Sequence, residues 1–114
     1  MKRGEIWLLN LNPTMGSEIQ KVRPCVIIND DSLGKLPLRI IVPITDWKER
    51  YEMAAWMVKI EPDGFNKLFK SSSVDCFQIR SVSEERFIRK LGEIDEVALD
   101  KIEIALKIVL KFNP

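Results

Sequence analysis

The chain contains no histidine, the side chain most used as an acid, base or metal ligand near neutral pH. Its two cysteines, Cys25 and Cys76, are far apart and form no CxxC pair. With no histidine to complete a ligand set, a zinc site is close to excluded, and buried free thiols are expected in place of a disulfide. Long hydrophobic runs are missing too: none approaches the roughly 18 to 20 residues of a membrane span. Met1-Lys2-Arg3-Gly4-Glu5 passes directly into strand-like sequence with no apolar leader. A cytoplasmic protein without a membrane partner is therefore expected. An excess of one charge is also absent, since eighteen Lys and Arg face seventeen Asp and Glu, a formal net charge of +1. No global field draws such a chain to nucleic acid, and any basic patch must be local. Repeats, low-complexity tracts and linkers are lacking, so residues 1–114 read as one domain.

What is present suits a small β-rich core. Apolar residues make up 46% and charged residues 31%, a balance that argues against disorder. Residues 4–11 alternate, with Ile6 and Leu8 on one face and Trp7, Leu9 and Leu11 on the other. Turn chemistry follows in Asn12-Pro13-Thr14-Met15-Gly16-Ser17, and the loop runs on to Val22, long for a hairpin and hence of functional interest. Pro24 opens a second strand to about residue 29, and residues 38–45 form a third, rich in β-branched side chains. Residues 46–53 connect, with room for a short helix. Residues 55–61 alternate, which points Trp56, Val58 and Ile60 inward. Residues 73–79 and 86–91 read as two more strands around a Ser83-Glu84-Glu85 turn.

The period then changes. From Asp95 as N-cap, Ala98, Leu99, Ile102, Ala105, Leu106 and Val109 recur at helical spacing to about residue 111. A second stripe, Val97, Ile104 and Ile108, is either a wider core contact or a face that meets another subunit. Many short strands and one terminal helix define a mainly β (α+β) fold, a small, strongly bent antiparallel sheet or barrel.

Two strand ends carry the chemistry. Arg23-Pro24 opens the second strand after the long loop, and Pro43-Ile44-Thr45 closes the third. A guanidinium that stays charged at working pH and a hydroxyl suit a phosphate, so phosphodiester chemistry is the first hypothesis. The plainer alternative is an ion pair and a capped turn. Lys2, Arg3, Lys21 and Arg23 face only Glu5 and Glu18 in the first 23 residues, a local surplus of cations in which Lys21 is a candidate substrate contact. Trp47, Lys48, Arg50 and Tyr51 interleave aromatic and basic residues just past Thr45, as binding of single-stranded RNA requires. Trp47 would equally serve as a cap on the barrel.

In order along the chain, Arg3-Gly4-Glu5-Ile6-Trp7, Asn12-Pro13-Thr14-Met15-Gly16-Ser17-Glu18, Val22-Arg23-Pro24, Val42-Pro43-Ile44-Thr45, Ser72-Ser73-Val74-Asp75 and Gln78-Ile79-Arg80 resemble the blocks of the MazF/PemK (Kid) toxins. The resemblance implies an SH3-like antiparallel β-barrel with a C-terminal helix, working as a homodimer. It also implies sequence-specific, metal-independent and cofactor-free cleavage of single-stranded RNA to 2′,3′-cyclic phosphate and 5′-hydroxyl ends, blocked by an acidic antitoxin. By position, Arg23 and Thr45 would form the core of the site, Gly16, Ser17 and Glu18 would flank it, and Gln78 would touch substrate. One departure is Phe77, where many members carry an acidic residue; Asp75 lies two positions back, on the same face if the strand is regular.

Cleavage by the 2′-hydroxyl needs a base, stabilisation of the phosphorane and a proton for the 5′-oxygen. Arg23 suits the second task and is a poor base. Thr45 would hold a non-bridging oxygen or orient the 2′-hydroxyl. Glu18, the carboxylate in the loop beside Arg23, is the candidate base, or else a solvated charge paired with Lys21 or Arg23. Two rival readings remain: the resemblance also admits a toxin of the same fold that poisons DNA gyrase, and the residues admit a silent nucleic-acid- or protein-binding module.

Overall fold

The computed structural model describes residues 1–33 and 35–112. Seven strands form, β1 (Glu5–Asn10), β2 (Val22–Ile27), β3 (Leu38–Asp46), β4 (Met57–Ile60), β5 (Ser72–Asp75), β6 (Arg80–Ser83) and β7 (Phe87–Glu93), followed by helix α1 (Glu96–Leu110). Every pairing is antiparallel, in the order β4-β5-β3-β2-β1-β7 with β6 also on β3. The path curls like a barrel without closing into a ring, which agrees with the bent sheet expected from the sequence.

Two core clusters explain why β2 lacks a polar face. Val26 and Ile28 pack into the first with Ile6, Val42, Ile44 and Val74, while Cys25 and Ile27 pack into the second with Leu9, Leu11, Ile41 and Val82. A strand buried on both sides reads as a continuous apolar run. Strand β1 serves both clusters in another way. Register shifts between Ile6 and Trp7 and between Leu8 and Leu9 put Ile6 and Leu9 at full burial, and strict alternation is lost.

Strand β3 organises the rest. Its first residues pair with β6 (Leu38 with Ser83, Ile41 with Arg80), and its last with β5 (Ile44 with Val74, Thr45 with Ser73). Between these partners stands Pro43, which has no N–H to donate. The expected strand over residues 73–79 needs correction. It stops at Asp75, and Cys76–Gln78 is a single 3₁₀ turn that carries the chain from β5 to β6. Asp75 caps that turn by accepting from the Phe77 N–H at 3.1 Å. Asp75 and Phe77 therefore do not share a strand face: Asp75 is buried, whereas Phe77 is 65% exposed. Strand β6 itself was not foreseen.

Helix α1 begins as expected, with Asp95 Oδ1 accepting from the Ala98 N–H at 2.8 Å. Ile102 and Ala105 are buried in the first cluster. The second stripe makes no core contact, because Val97, Ile104 and Ile108 are all exposed. Trp56 also departs from expectation. It lies one residue before β4, is 40% exposed, and packs edge-on against Phe77 with centroids 6.0 Å apart. Trp7 is half-buried against Phe87. Both cysteines are free and buried, and burial pushes each thiol up to about 12, for Cys25 despite the nearby Arg80 charge.

Candidate active site

Cys25 pairs with Pro43 at the end of the β2–β3 ladder, and continuing that register outward by two residues sets Arg23 opposite Thr45. Both line one cleft of about 450 Å³. Its floor follows a row across the sheet, because Leu8 on β1 pairs with Pro24 on one side and Arg89 on the other. The opposite wall is the segment between β4 and β5, through Lys67, Phe69 and Lys70.

The cations of this cleft are differently committed. Arg23 is half-buried, and its Nε donates to the Gln20 carbonyl at 3.3 Å. No carboxylate of the described residues pairs with its guanidinium. Lys70 does have a partner, with Nζ 3.0 Å from Asp46 Oδ2, and this occupies the carboxylate that follows Thr45. The arrangement is a hydroxyl and an unpaired arginine over an apolar floor, able to bind a phosphate by paired N–H bonds.

The loop over residues 11–21 is shaped by backbone conformation and by anchors from elsewhere. Gly16 (φ 57°) and Lys21 (φ 70°) both adopt the left-handed region, natural for glycine and uncommon for lysine. Gln78 Nε2 donates to the Ser17 carbonyl at 3.1 Å, and its Oε1 accepts from the Ile19 N–H at 2.6 Å. Arg86 Nη1 donates to the Asn10 and Asn12 carbonyls at 3.2 and 2.6 Å, and Arg80 Nη1 reaches the Leu11 carbonyl at 3.5 Å. These two arginines are thus engaged with the loop.

The sequence-derived candidates consequently separate into two groups. Arg23 and Thr45 share the first cleft. Ser17, Glu18 and Gln78 line a second one of about 460 Å³ with Phe77 and Arg80. Glu18 Oε1 accepts from the Met15 N–H at 2.6 Å, an intraloop bond that directs it to its own turn. Gly16 and Lys21 shape the loop without lining either cleft. Trp47 and Lys48 also lie outside both: the Trp47 ring meets Tyr51 edge-on, carries Lys59 Nζ 4.9 Å from its centroid, and Lys48 is exposed. Among the described residues, no three His, Cys, Asp or Glu side chains cluster as a metal site would require. Asp75 has its pKa raised by burial, against the pull of the Phe77 and Gln78 N–H groups.

Lys67, Phe69 and Lys70 were not singled out as site residues from sequence. The signal was present, since Lys67-Leu68-Phe69-Lys70 is the same interleaving of aromatic and basic residues noted at 47–51.

The chain is a small β protein whose bent antiparallel sheet brings Arg23, without a carboxylate partner among the described residues, and Thr45 into one basic cleft. The sequence profile described as "PemK-like, MazF-like toxin of type II toxin-antitoxin system" matches residues 2–110, and the chain belongs to that family. It is 32% identical to the endoribonuclease MazF9 of Mycobacterium tuberculosis over 124 aligned positions, covering 96% of each chain. It is 35% identical to the endoribonuclease MazF of Staphylococcus epidermidis, covering 99% of this chain and 93% of the relative. A mycobacterial endoribonuclease solved with its cognate antitoxin superposes with a TM-score of 0.79 at 17% identity, covering 100% of this chain and 98% of the other. That likeness bears out the expected fold.

Proposed function

We propose that this chain is a toxin endoribonuclease that cleaves single-stranded RNA at preferred sequences, without a metal or other cofactor. The products are 2′,3′-cyclic phosphate and 5′-hydroxyl ends. The observation that carries this reading is the meeting of Arg23 and Thr45 in one basic cleft. In the reaction the 2′-oxygen attacks phosphorus, its proton leaves, the bond from phosphorus to the 5′-oxygen breaks, and that oxygen takes up a proton. Arg23 donates paired hydrogen bonds to the charge that grows on the phosphorane oxygens. Thr45 holds a non-bridging oxygen or orients the 2′-hydroxyl. The bond between Glu18 and the Met15 N–H favours a role in loop shape over proton removal.

The same cleft suits an acidic, partly disordered antitoxin, whose carboxylates would meet Arg23, Lys67 and Arg89 and which would order on binding. The mycobacterial relative solved with its antitoxin supports such a partner. The exposed Val97, Ile104 and Ile108 stripe on α1 is the face we assign to a homodimer.

The test is cleavage of a long, end-labelled single-stranded RNA in excess chelator by wild type, Arg23→Ala and Glu18→Gln. Discrete fragments ending in cyclic phosphate are expected from the wild type. Losing one transition-state donor should slow Arg23→Ala by about 10² to 10³ or more while it stays folded. Near-normal cleavage by folded Arg23→Ala would reject the assignment, and loss of cleavage in Glu18→Gln would restore that carboxylate as the base. RNA left intact but bound would indicate a silent module. Absence of RNA binding together with inhibited supercoiling would indicate a gyrase poison.

A further inference from the structure

Residues 61–71 belong to no strand or helix, yet side chains pin them along their length. Asp63 Oδ1 accepts from the Phe65 and Asn66 N–H groups at 2.8 and 2.7 Å. Asn66, 1% exposed, accepts from the Asp63 and Leu68 N–H groups at 3.1 and 3.0 Å and donates to the Glu61 carbonyl at 2.9 Å. Leu68 packs against the first core cluster, and the Lys70–Asp46 ion pair ties the far end to β3. Between these pins the strap holds Phe69 at 100% exposure. A phenyl ring left wholly in water forgoes the stabilisation that burial brings, and here it does so on an otherwise fixed segment that lines the Arg23–Thr45 cleft.

We infer that Phe69, with Lys67 beside it, is a stacking platform for the base next to the scissile phosphate and so biases which RNA sequences are cut. The inference rests on the ribonuclease reading above. Bases stack on a phenyl face with unequal strength, which gives a modest preference at the stacked position, and the exposed Lys67 ammonium serves an adjoining phosphate. Because the strap is already ordered, little conformational freedom is lost when a nucleotide docks. RNA fits better than an acidic peptide, since cations alone would serve carboxylates and would leave the ring unused.

The test compares wild type, Phe69→Ala and Phe69→Trp on a single-stranded RNA carrying a mapped cleavage site, with flanking positions randomised in a second experiment. Loss of one stacked base should raise KM about 10- to 100-fold in Phe69→Ala, with kcat within about threefold of wild type. Phe69→Trp should keep the wild-type KM, and Phe69→Ala should lose base preference at a position flanking the cut. Unchanged KM and preference in Phe69→Ala, while the wild type cleaves, overturns the inference alone. If the wild type neither cleaves RNA nor binds its 2′-O-methyl copy, the ribonuclease reading falls and takes the inference with it. If it binds without cleaving, affinity for that copy replaces KM in the same comparison. A loss confined to binding of a synthetic acidic peptide, with RNA affinity intact, assigns the ring to an inhibitor and also overturns the inference.

Discussion

Gly92 on β7 is the position where one added carbon should do most damage. A Cβ there would stand 2.4 Å from the Phe65 carbonyl oxygen, 2.7 Å from that of Asn66 and 2.8 Å from the Asn66 carbonyl carbon. All three are main-chain atoms, so no side chain can swing aside, and the strap itself would have to retreat. Its hydrogen bond from the Glu93 N–H to the Phe65 carbonyl, 3.0 Å long, would go with it. Overpacking costs about 1–3 kcal/mol and a lost backbone hydrogen bond about 0.5–1.5, less roughly 0.4–1 regained because alanine restricts the unfolded chain. The net expectation for Gly92→Ala is a loss of about 1–4 kcal/mol. At the usual unfolding entropy per residue, a domain of this size shifts by about 4 °C per kcal/mol, so Tm should fall by about 4–16 °C. Gly64→Ala is the control, because a Cβ at Gly64 meets nothing within 4 Å. Thermal unfolding of both variants, followed by circular dichroism, checks the reasoning. A Gly92→Ala Tm equal to that of Gly64→Ala would refute it.

Two further expectations follow from specific contacts. Burial opposes the charge on Glu5, but the Trp7 indole N–H, the Lys2 N–H and the Lys90 ammonium outweigh it and hold the carboxyl at about 2, below its ordinary 4.5. A depressed folded value means that this stabilisation, at most about 3 kcal/mol, is complete above the ordinary value and is lost as pH falls towards 2. Urea midpoints across that range should therefore fall less steeply for Glu5→Gln than for wild type, and equal slopes would contradict the assignment. Gln78→Ala removes both ties to the loop at Ser17 and Ile19 and leaves a part-buried N–H unpaired, at a cost of about 1–3 kcal/mol. Trypsin should then cut after Lys21 faster than in wild type; an unchanged rate would show that the arginine anchors suffice.

The fold was legible where one physical signal dominated. Asp95 as N-cap and the 3.6-residue stripe located α1, and the apolar run from Cys25 to Ile28 located the doubly buried β2. Reading failed where main-chain events override pattern. Residues 73–79 look like a strand, but the Asp75 side chain caps a turn and ends it. Strand β6 is only four residues long, and it exists because the front half of β3 needs a partner, which no local period records. The meeting of Arg23 and Thr45 in one cleft was readable because both stand near strand ends, Arg23 next to Pro24 and Thr45 two residues past Pro43. The opposite wall was not, because Lys67, Phe69 and Lys70 reach the cleft through the buried Asn66 and the bare backbone at Gly92, contacts between segments about 25 residues apart.

The anchors that reach the long loop from outside it share one property: they grip its main chain. Arg86 holds the carbonyls of residues 10 and 12, Arg80 that of residue 11, and Gln78 the carbonyl of 17 and the N–H of 19. Such grips are blind to the side chains they hold in place. The exposed side chains of Met15 and Ser17, which the loop does not use to hold its shape, can therefore be exchanged while Gly16 and Glu18 keep its path, much as a mount accepts different lenses. A scaffold fastened in this way can change what it reads without being refolded, and a library confined to those positions is the natural place to seek altered RNA preference.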